Sequence, residues 1–199
     1  MEPTAHQAVT LVWQLAMGVS LAACAGLRAF LPLFVVGVAG RLELIPLTHR
    51  FEWLESWPAL TVFGVAVVAE LLADKFPVVD HFLDTLQTFV KPIAGTILAA
   101  SVLAGLSPLL ATVLGLVTGG TAAGAVHLGK AKLRLASSVT TAGIANPVIS
   151  VIEDLGALVG SIGAILVPVL MLFLLGLAAL LAVLAFRQWK QRTSTAPPA

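Results

Sequence analysis

Charged and strongly polar residues lie within or beside long apolar segments of this chain, where charge is costly. A charged side chain at the centre of a membrane span costs roughly 2.5 to 3.5 kcal/mol on insertion scales, so the residues that occur there are candidates for binding an ion or a solute. Four groups meet this description. They are Arg28; Glu70, Asp74 and Lys75; Asp80, His81 and Asp84; and Asn146, Glu153 and Asp154.

Carboxylates four residues apart offer the most definite chemistry. Glu70 and Asp74 share one face of a helix, where like charges repel each other unless a cation, a proton or a basic side chain lies between them. Such a pair binds a hard cation or carries protons. The alternative is that Asp74 and Lys75 end a helix at the membrane interface.

A second pair of carboxylates stands next to an imidazole. Asp80, His81 and Asp84 combine oxygen and nitrogen donors, a set that suits a divalent metal ion. On an amphipathic helix the same residues form a solvated polar face and need no metal. The second interpretation is favoured over the metal site.

Two positions predict broken helices. Asn146-Pro147 frees backbone carbonyls that must find partners or line a cavity, and Glu153 and Asp154 follow in the same apolar stretch. Transporters build binding sites at such breaks. Arg28, deep in the first apolar run, either binds an anionic group, neutralises a carboxylate or snorkels to the surface.

These residues belong to a very hydrophobic chain. Of its 199 residues, 59% are hydrophobic and 11% are charged, and the mean hydropathy is +1.03, whereas soluble domains carry about 25% charged residues. The composition predicts an all-α, polytopic transmembrane bundle. A net charge of +1 indicates no nucleic-acid partner. The single cysteine, Cys24, excludes an internal disulfide and a thiolate metal site.

Because a span needs about 20 apolar residues, the apolar stretches predict about six spans, of which the first and the fifth are broken. The stretches are residues 8–39, 59–73, 92–106, 108–128, 135–158 and 162–186. The third is short enough to be a re-entrant helix. Residues 76–91 predict an amphipathic helix along the membrane surface. Residues 1–186 form one transmembrane domain, and residues 187–199 a disordered cytoplasmic tail.

The positions of lysine and arginine predict the orientation, because cytoplasmic loops are enriched in both. Basic groups lie in a short loop at 130–134, after the last span at 187–192, and at Lys75 and Lys91 around the amphipathic helix. Six spans place all three groups on the cytoplasmic side. Both termini then face the cytoplasm, and loop 40–58 faces outward.

Interfacial and packing residues are also predicted. Trp53 and Trp57 lie where indole rings are favoured, at headgroup level. Gly115 and Gly119 have the spacing that lets helix backbones approach closely in lipid. Cys24 follows a sequence that resembles a lipoprotein cleavage box, but the apolar segment continues past it, so a buried packing thiol is expected.

A short similarity between residues 25–28 and 142–145 hints at an internal repeat, with three spans in each half. In such a repeat the two broken helices meet at a pseudo-symmetry axis. That arrangement brings Arg28 close to Asn146, Glu153 and Asp154.

Several motifs occur in a fixed order between residues 17 and 185. They are Gly26-Leu27-Arg28-Ala29-Phe30-Leu31-Pro32, Glu70-Leu71-Leu72-Ala73-Asp74-Lys75, Asp80-His81, Ala142-Gly143, Asn146-Pro147 and Glu153-Asp154. Together they resemble DUF4126, a family of bacterial integral membrane proteins. The resemblance implies a multi-pass protein of the bacterial cytoplasmic (inner) membrane and names no activity.

A looser resemblance connects residues 70–75 to cation exchangers with Glu-x-Gly-Asp-Lys-Thr/Ser helices, in which acidic residues from two repeats bind the ion. Here the motif is one residue longer and lacks the glycine and the hydroxyl. The extra residue turns Asp74 by about 100° around the helix axis, so the likeness stays an analogy.

The leading hypothesis is a small secondary transporter, a carrier for a cation or small solute that works as a homodimer. Protons would pass through Glu70, Asp74, Glu153 and Asp154, while Arg28 orients an anion or neutralises the carboxylates.

Two alternatives stay open. One is a protein that binds or flips a phospholipid or polyprenyl phosphate, with Arg28, Lys75 and Lys91 contacting phosphate. The other is a scaffold that transports nothing. An enzyme is not expected, because no HExxH, GxSxG or Ser-Lys arrangement is present. No cofactor is expected, and the expected partners are membrane lipids and an ion or small molecule.

Overall fold

The computed structural model describes residues 5–73, 77–141 and 144–194, without the side chains of residues 77–84, 182, 185, 186 and 188–194. Within these ranges the chain is helical and has no strand, as the sequence predicts. The α-helices are α1 (Ala5–Leu27), α2 (Phe30–Arg41), α3 (Trp57–Ala73), α4 (Pro77–Ser101), α5 (Pro108–Leu114), α6 (Thr121–Thr141), α7 (Asn146–Leu166) and α8 (Pro168–Ser194). A 3-10 helix (His49–Glu55) precedes α3, and a π-helical turn (Gly115–Gly120) joins α5 to α6.

Helix α1 is the centre of the bundle. It packs against α4, α6, α7 and α8, and its buried side consists mainly of small residues. The helix ends at Leu27, and α2 begins at Phe30. Pro32 explains the break, because a proline ring clashes with the carbonyl group four residues earlier, which is that of Arg28. The predicted break in the first span is confirmed.

Helix α2 ends in a Schellman motif that starts the loop to α3. The N–H of Glu43 donates to the Gly40 carbonyl at 2.8 Å, and the N–H of Leu44 donates to the Ala39 carbonyl at 2.9 Å. Glu43 has a φ of 56°, the left-handed conformation that favours glycine at this position. The end of α2 is therefore fixed by hydrogen bonds, although its sequence lacks the usual glycine.

The prediction for residues 76–106 is corrected in one respect. The expected surface helix and the third apolar stretch form one continuous helix, α4, with Pro92 inside it. A proline removes one backbone hydrogen bond, yet α4 continues through Pro92 and packs against α1 and the π-helical turn. After α4, Ser107 caps α5 by accepting a hydrogen bond from the Leu110 N–H at 3.4 Å.

The predicted basic loop at 130–134 is wrong, because this segment lies within α6. Lysine and arginine are good helix formers, and α6 runs unbroken to Thr141. Lys130 is buried, and Arg134 is bonded to α7. Two residues that the orientation argument counts as loop charges therefore belong to the interior of the bundle.

Prolines also set the boundaries of the last two helices. Helix α7 begins at Asn146 with Pro147 in its first turn, which confirms the predicted break. The sixth apolar stretch, expected as one helix, is divided instead, because α7 ends at Leu166 and α8 begins at Pro168. Helix α8 continues beyond residue 186 to Ser194, through residues with good helix propensity.

The glycine spacing predicted to allow close helix packing is confirmed for Gly115 and Gly119. A Cβ atom on Gly119 would lie 2.6 Å from the Cβ atom of Ala99, and one on Gly115 would lie 2.8 Å from that of Ala100. Gly95, four residues before Ala99 on the same face of α4, also lies against Gly119. The π-helical turn and α4 are thus in backbone contact.

Among the described residues, three helical segments are long and apolar enough to cross a membrane. They are Ala5–Leu27, Pro108–Thr141 and Asn146–Leu166. The 3-10 helix and α3, which meet at an angle of 61°, give a fourth if they count as one bent span. Helix α2 and the first part of α8 are shorter apolar segments, so the number six stays a prediction.

Candidate functional site

The break between α1 and α2 leaves backbone groups of two helix ends inside the bundle. At the start of α2, the Ala29 N–H donates to Oε1 of Glu70 at 3.0 Å, and the Phe30 N–H donates to Oε2 at 3.4 Å. Gln87 of α4 donates to the same Oε1 at 2.9 Å. The first N–H groups of a helix carry partial positive charge, so the buried Glu70 carboxylate stabilises the start of α2.

The end of α1 is bound by a cation, whereas the start of α2 is bound by the anion Glu70. Nζ of Lys130 donates to the Leu27 carbonyl at 3.2 Å and lies 3.0 Å from Oε2 of Glu153. Carbonyl groups at the end of a helix carry partial negative charge, which a cation stabilises. The broken helix thus has an anion, Glu70, at the start of α2 and a cation, Lys130, at the end of α1.

Helix α7 supplies two adjacent carboxylates that pair with different cations. Glu153 accepts from Nη2 of Arg134 at 3.1 Å as well as from Lys130. The guanidinium group of Arg28 pairs with Asp154 and donates to Oγ of Ser150 at 2.9 Å. Ser150 and Asp154 are four residues apart and so lie on one face of α7.

We name Arg28, Lys130, Arg134, Glu153 and Asp154 the ion-pair cluster. Arg28 is 1% exposed and Glu153 is 6% exposed, whereas the side chain of Asp154 is 29% exposed. Oε1 of Glu153 is buried and has no hydrogen-bond donor within the part of the chain that the structure describes. The cluster therefore combines a deep acceptor atom with a carboxylate that is partly open to the surroundings.

The arrangement brings together only some of the candidates that the sequence suggests. Arg28 pairs with Asp154, one of the residues that the repeat hypothesis places near it, whereas Glu153 pairs with Lys130 and Arg134. Asn146 donates from Nδ2 to Oγ of Ser138 at 3.0 Å and ties α7 to α6. Glu70 binds α2 rather than the cluster.

Several predicted site residues lie outside the description. Asp74 and Lys75 fall between the described ranges, and the side chains of Asp80, His81 and Asp84 are not described. Among the described residues, no group of three or more histidine, cysteine, aspartate or glutamate side chains is arranged to hold a metal ion.

Lys91 requires a correction. It is fully buried, with Nζ 3.2 Å from Nδ1 of His127, whose Nε2 lies 3.3 Å from Oγ1 of Thr88. The prediction that Lys91 contacts lipid is therefore wrong. Gln87 and Lys91 are four residues apart on α4 and are both buried, so they mark its inward face.

Lys130 and Arg134 are the site residues that sequence reasoning missed. Treating them as loop charges hid their spacing, since His127, Lys130 and Arg134 follow one face of a helix.

The two tryptophans of the loop lie on the surface, as an interfacial position requires, with Trp53 47% and Trp57 66% exposed. The ring of Trp53 lies 6.1 Å from that of Phe63.

Long apolar helices, a broken central helix and buried charges paired across it define a polytopic α-helical membrane protein. The model of DUF4126, described as a domain of unknown function, matches residues 15–189. The chain therefore belongs to this family, which confirms the resemblance seen in its motifs. No curated protein and no solved structure matches the chain.

Proposed function

We propose that this protein is a small secondary carrier that moves a small solute with proton coupling. The observation that carries the proposal is the ion-pair cluster, in which three basic and two acidic side chains meet at the break of the central helix. In transporters, broken helices place their charged ends at the substrate and at the coupling ion. The cluster has the same combination of helix ends and ionisable groups.

The energetic cost of the cluster supports a role beyond packing. Buried ion pairs are seldom more stabilising than well-packed apolar side chains of similar volume, because both charges lose their hydration. Ionisable residues inside membrane proteins therefore mark substrate and proton pathways more often than structural contacts. In this chain, charges from the α1–α2 break and from α6 pair with two adjacent carboxylates of α7.

Protonation of Glu153 would change the cluster in a defined way. Neutral Glu153 no longer offsets the charges of Lys130 and Arg134, so the net charge of the five side chains would rise from +1 to +2. An anionic group of a solute beside these cations restores the original balance. The proposed carrier therefore moves a proton together with an anionic group, and Oε1 of Glu153, which lacks a described donor, is the atom that accepts the proton.

Proteoliposomes that enclose a pH-sensitive dye test this proposal. Small carboxylates and inorganic phosphate are added outside, and acidification of the interior is measured. We expect at least one solute to cause acidification in the wild type and Glu153→Gln to slow it at least tenfold. Glu52→Gln, whose carboxylate bonds only to the exposed His49 among described residues, serves as the control.

The proposal has two distinct points of failure. Acidification at the wild-type rate in Glu153→Gln would refute the coupling role of that residue. Absence of solute-dependent acidification in the wild type would refute the carrier itself.

The proposal includes the expected location in the bacterial inner membrane, with both termini in the cytoplasm and two copies per assembly. Fusion of a reporter active only outside the cytoplasm to residue 194 tests the orientation. Activity of that reporter would contradict it.

A scaffold is the second candidate function, and one observation favours it. Every charged side chain of the ion-pair cluster has a partner of opposite charge, as expected of residues that only hold helices together. The scaffold predicts that Glu153→Gln lowers the free energy of unfolding in detergent and that no solute produces proton flux. The flux measurement separates the two candidates.

A further inference from the structure

An open groove separates α2 from α3 on the surface of the bundle, and it contains none of the ion-pair cluster. Its volume is about 480 Å³. It is lined by Phe34, Val38, Arg41, Leu42, Trp57, Leu60 and Thr61. Apart from Arg41 and Thr61 these are apolar or aromatic side chains. Phe34 and Arg41 are seven residues apart on α2, so the groove extends for about 10 Å along the helix.

Arg41 stands at the end of the groove where α2 finishes. Its guanidinium carbon lies 4.6 Å from the centre of the Trp57 ring, and Nη1 donates to the Glu55 carbonyl at 3.4 Å. Within the described chain, no carboxylate lies within ion-pair distance of Arg41, in contrast to Arg28 and Arg134. Most N–H groups of this exposed guanidinium are therefore open to an anion.

The surface next to this groove suits contact with lipid. Val62, Val65 and Val68 on α3 are each more than half exposed, which suits contact with acyl chains. Trp57 is an aromatic residue at the start of the same helix, a position typical of the headgroup region. A groove that is apolar along α2 and cationic at its tryptophan end matches a phospholipid in shape and in charge.

We propose that this groove binds one membrane phospholipid, with its phosphate on Arg41 and an acyl chain along Phe34, Val38 and Leu60. Arginine is suited to this role because its planar guanidinium group presents paired N–H donors to phosphate oxygens. Trp57 holds the guanidinium in place through its ring face. The site is separate from the proposed carrier function, and from Arg28 and Lys91, which the sequence suggested for lipid contact.

Native mass spectrometry of the purified protein in detergent tests the site. The protein is titrated with phosphatidylglycerol, and the fraction carrying one lipid is measured for wild type, Arg41→Ala and Arg50→Ala. We expect binding to Arg41→Ala to be at least tenfold weaker. Arg50→Ala is the matched control, because Arg50 is an exposed arginine of the 3-10 helix that does not line the groove. Wild-type affinity in Arg41→Ala, or an equal loss in Arg50→Ala, would overturn the proposal.

Two further measurements examine the two ends of the lipid. Val38→Trp fills the apolar part of the groove while leaving Arg41 intact, and we expect it to weaken phosphatidylglycerol binding at least fivefold. Unchanged binding would refute the acyl-chain position.

Inorganic phosphate is expected not to displace the lipid at equal concentration, because it lacks the acyl chain. Displacement would show a site for free phosphate and contradict the proposal. Phosphatidylethanolamine is expected to bind as well, since it carries the same phosphodiester, and its exclusion would contradict recognition through phosphate.

Discussion

Replacing Glu70 by alanine removes the acceptor for the first N–H groups of α2 and provides the sharpest test of how the helix break is stabilised. Loss of an N-terminal cap costs about 0.5 to 2 kcal/mol, and a buried donor left without an acceptor costs about 1 to 3 kcal/mol. The Ala29 N–H and the Gln87 amide both donate to Oε1 of this carboxylate. We therefore expect Glu70→Ala to lower the free energy of unfolding by about 3 kcal/mol.

The measurement is an unfolding titration with sodium dodecyl sulfate in mixed micelles, followed by circular dichroism. Glu70→Gln keeps an amide oxygen that can accept from the Ala29 N–H but loses the charge, so we expect it to lose about 1 to 2 kcal/mol, between wild type and Glu70→Ala. Glu52→Ala, which removes only an exposed contact to His49, is expected to unfold like the wild type. A loss below 1 kcal/mol in Glu70→Ala would refute the cap as the main role of this residue.

Three more predictions concern packing and the chain end of α2. Gly119→Ala places a Cβ atom against Ala99 and the Gly95 backbone, and we expect it to lower the free energy of unfolding by about 1 to 3 kcal/mol in the same titration. Gly129→Ala is the control: its Cβ meets no atom within 4 Å, and we expect it to raise that free energy by about 0.5 to 1 kcal/mol. Equal effects of the two substitutions would contradict the backbone contact. Glu43→Gly is expected to raise stability by up to about 1 kcal/mol, because glycine adopts the left-handed conformation without strain, and a loss would contradict the Schellman motif. Cys24, 1% exposed, is expected to resist maleimide in mild detergent and to react after unfolding, so rapid labelling of the folded protein would contradict its burial.

The positions of the helix breaks follow from local chemistry, and for that reason the sequence predicts the breaks before α2 and α7, although the stretch that contains Pro168 is expected as one helix. Pro32 excludes a helical hydrogen bond to the carbonyl of Arg28 whatever surrounds it. Pro147 and Pro168 act in the same way at the starts of α7 and α8. A break of this kind depends only on a proline and the four residues before it, so it can be predicted without knowing how the helices pack.

The partners of the buried charges do not follow from local chemistry. Lys130 and Glu153 are 23 positions apart, and nothing in either neighbourhood specifies the other residue. Their meeting depends on how α6 and α7 pack around α1. The same limitation explains the error at Lys91, because a lysine at the end of an amphipathic segment resembles a surface residue until His127 of α6 packs against it.

A double substitution separates the structural contribution of the cluster from its proposed function. Glu153→Gln alone leaves Lys130 and Arg134 without that carboxylate, and removing one partner of a buried pair costs about 3 to 5 kcal/mol. Lys130→Met alone leaves the Leu27 carbonyl and Glu153 short of a donor, with a cost of similar size. Combining both substitutions removes one charge of each sign, so the net charge of the cluster is unchanged.

The double variant should therefore lose clearly less stability than the two single losses added together, with an interaction energy of about 1 to 3 kcal/mol in a double-mutant cycle. If the ion pairs only hold helices together, the second substitution restores part of the free energy of unfolding and has no effect on flux. If Glu153 carries the coupled proton, the double variant is a folded protein that still shows no solute-dependent acidification, because glutamine cannot exchange a proton at that position. Recovery of flux together with stability would contradict the proton role of Glu153, since a side chain that does not titrate would then support coupling.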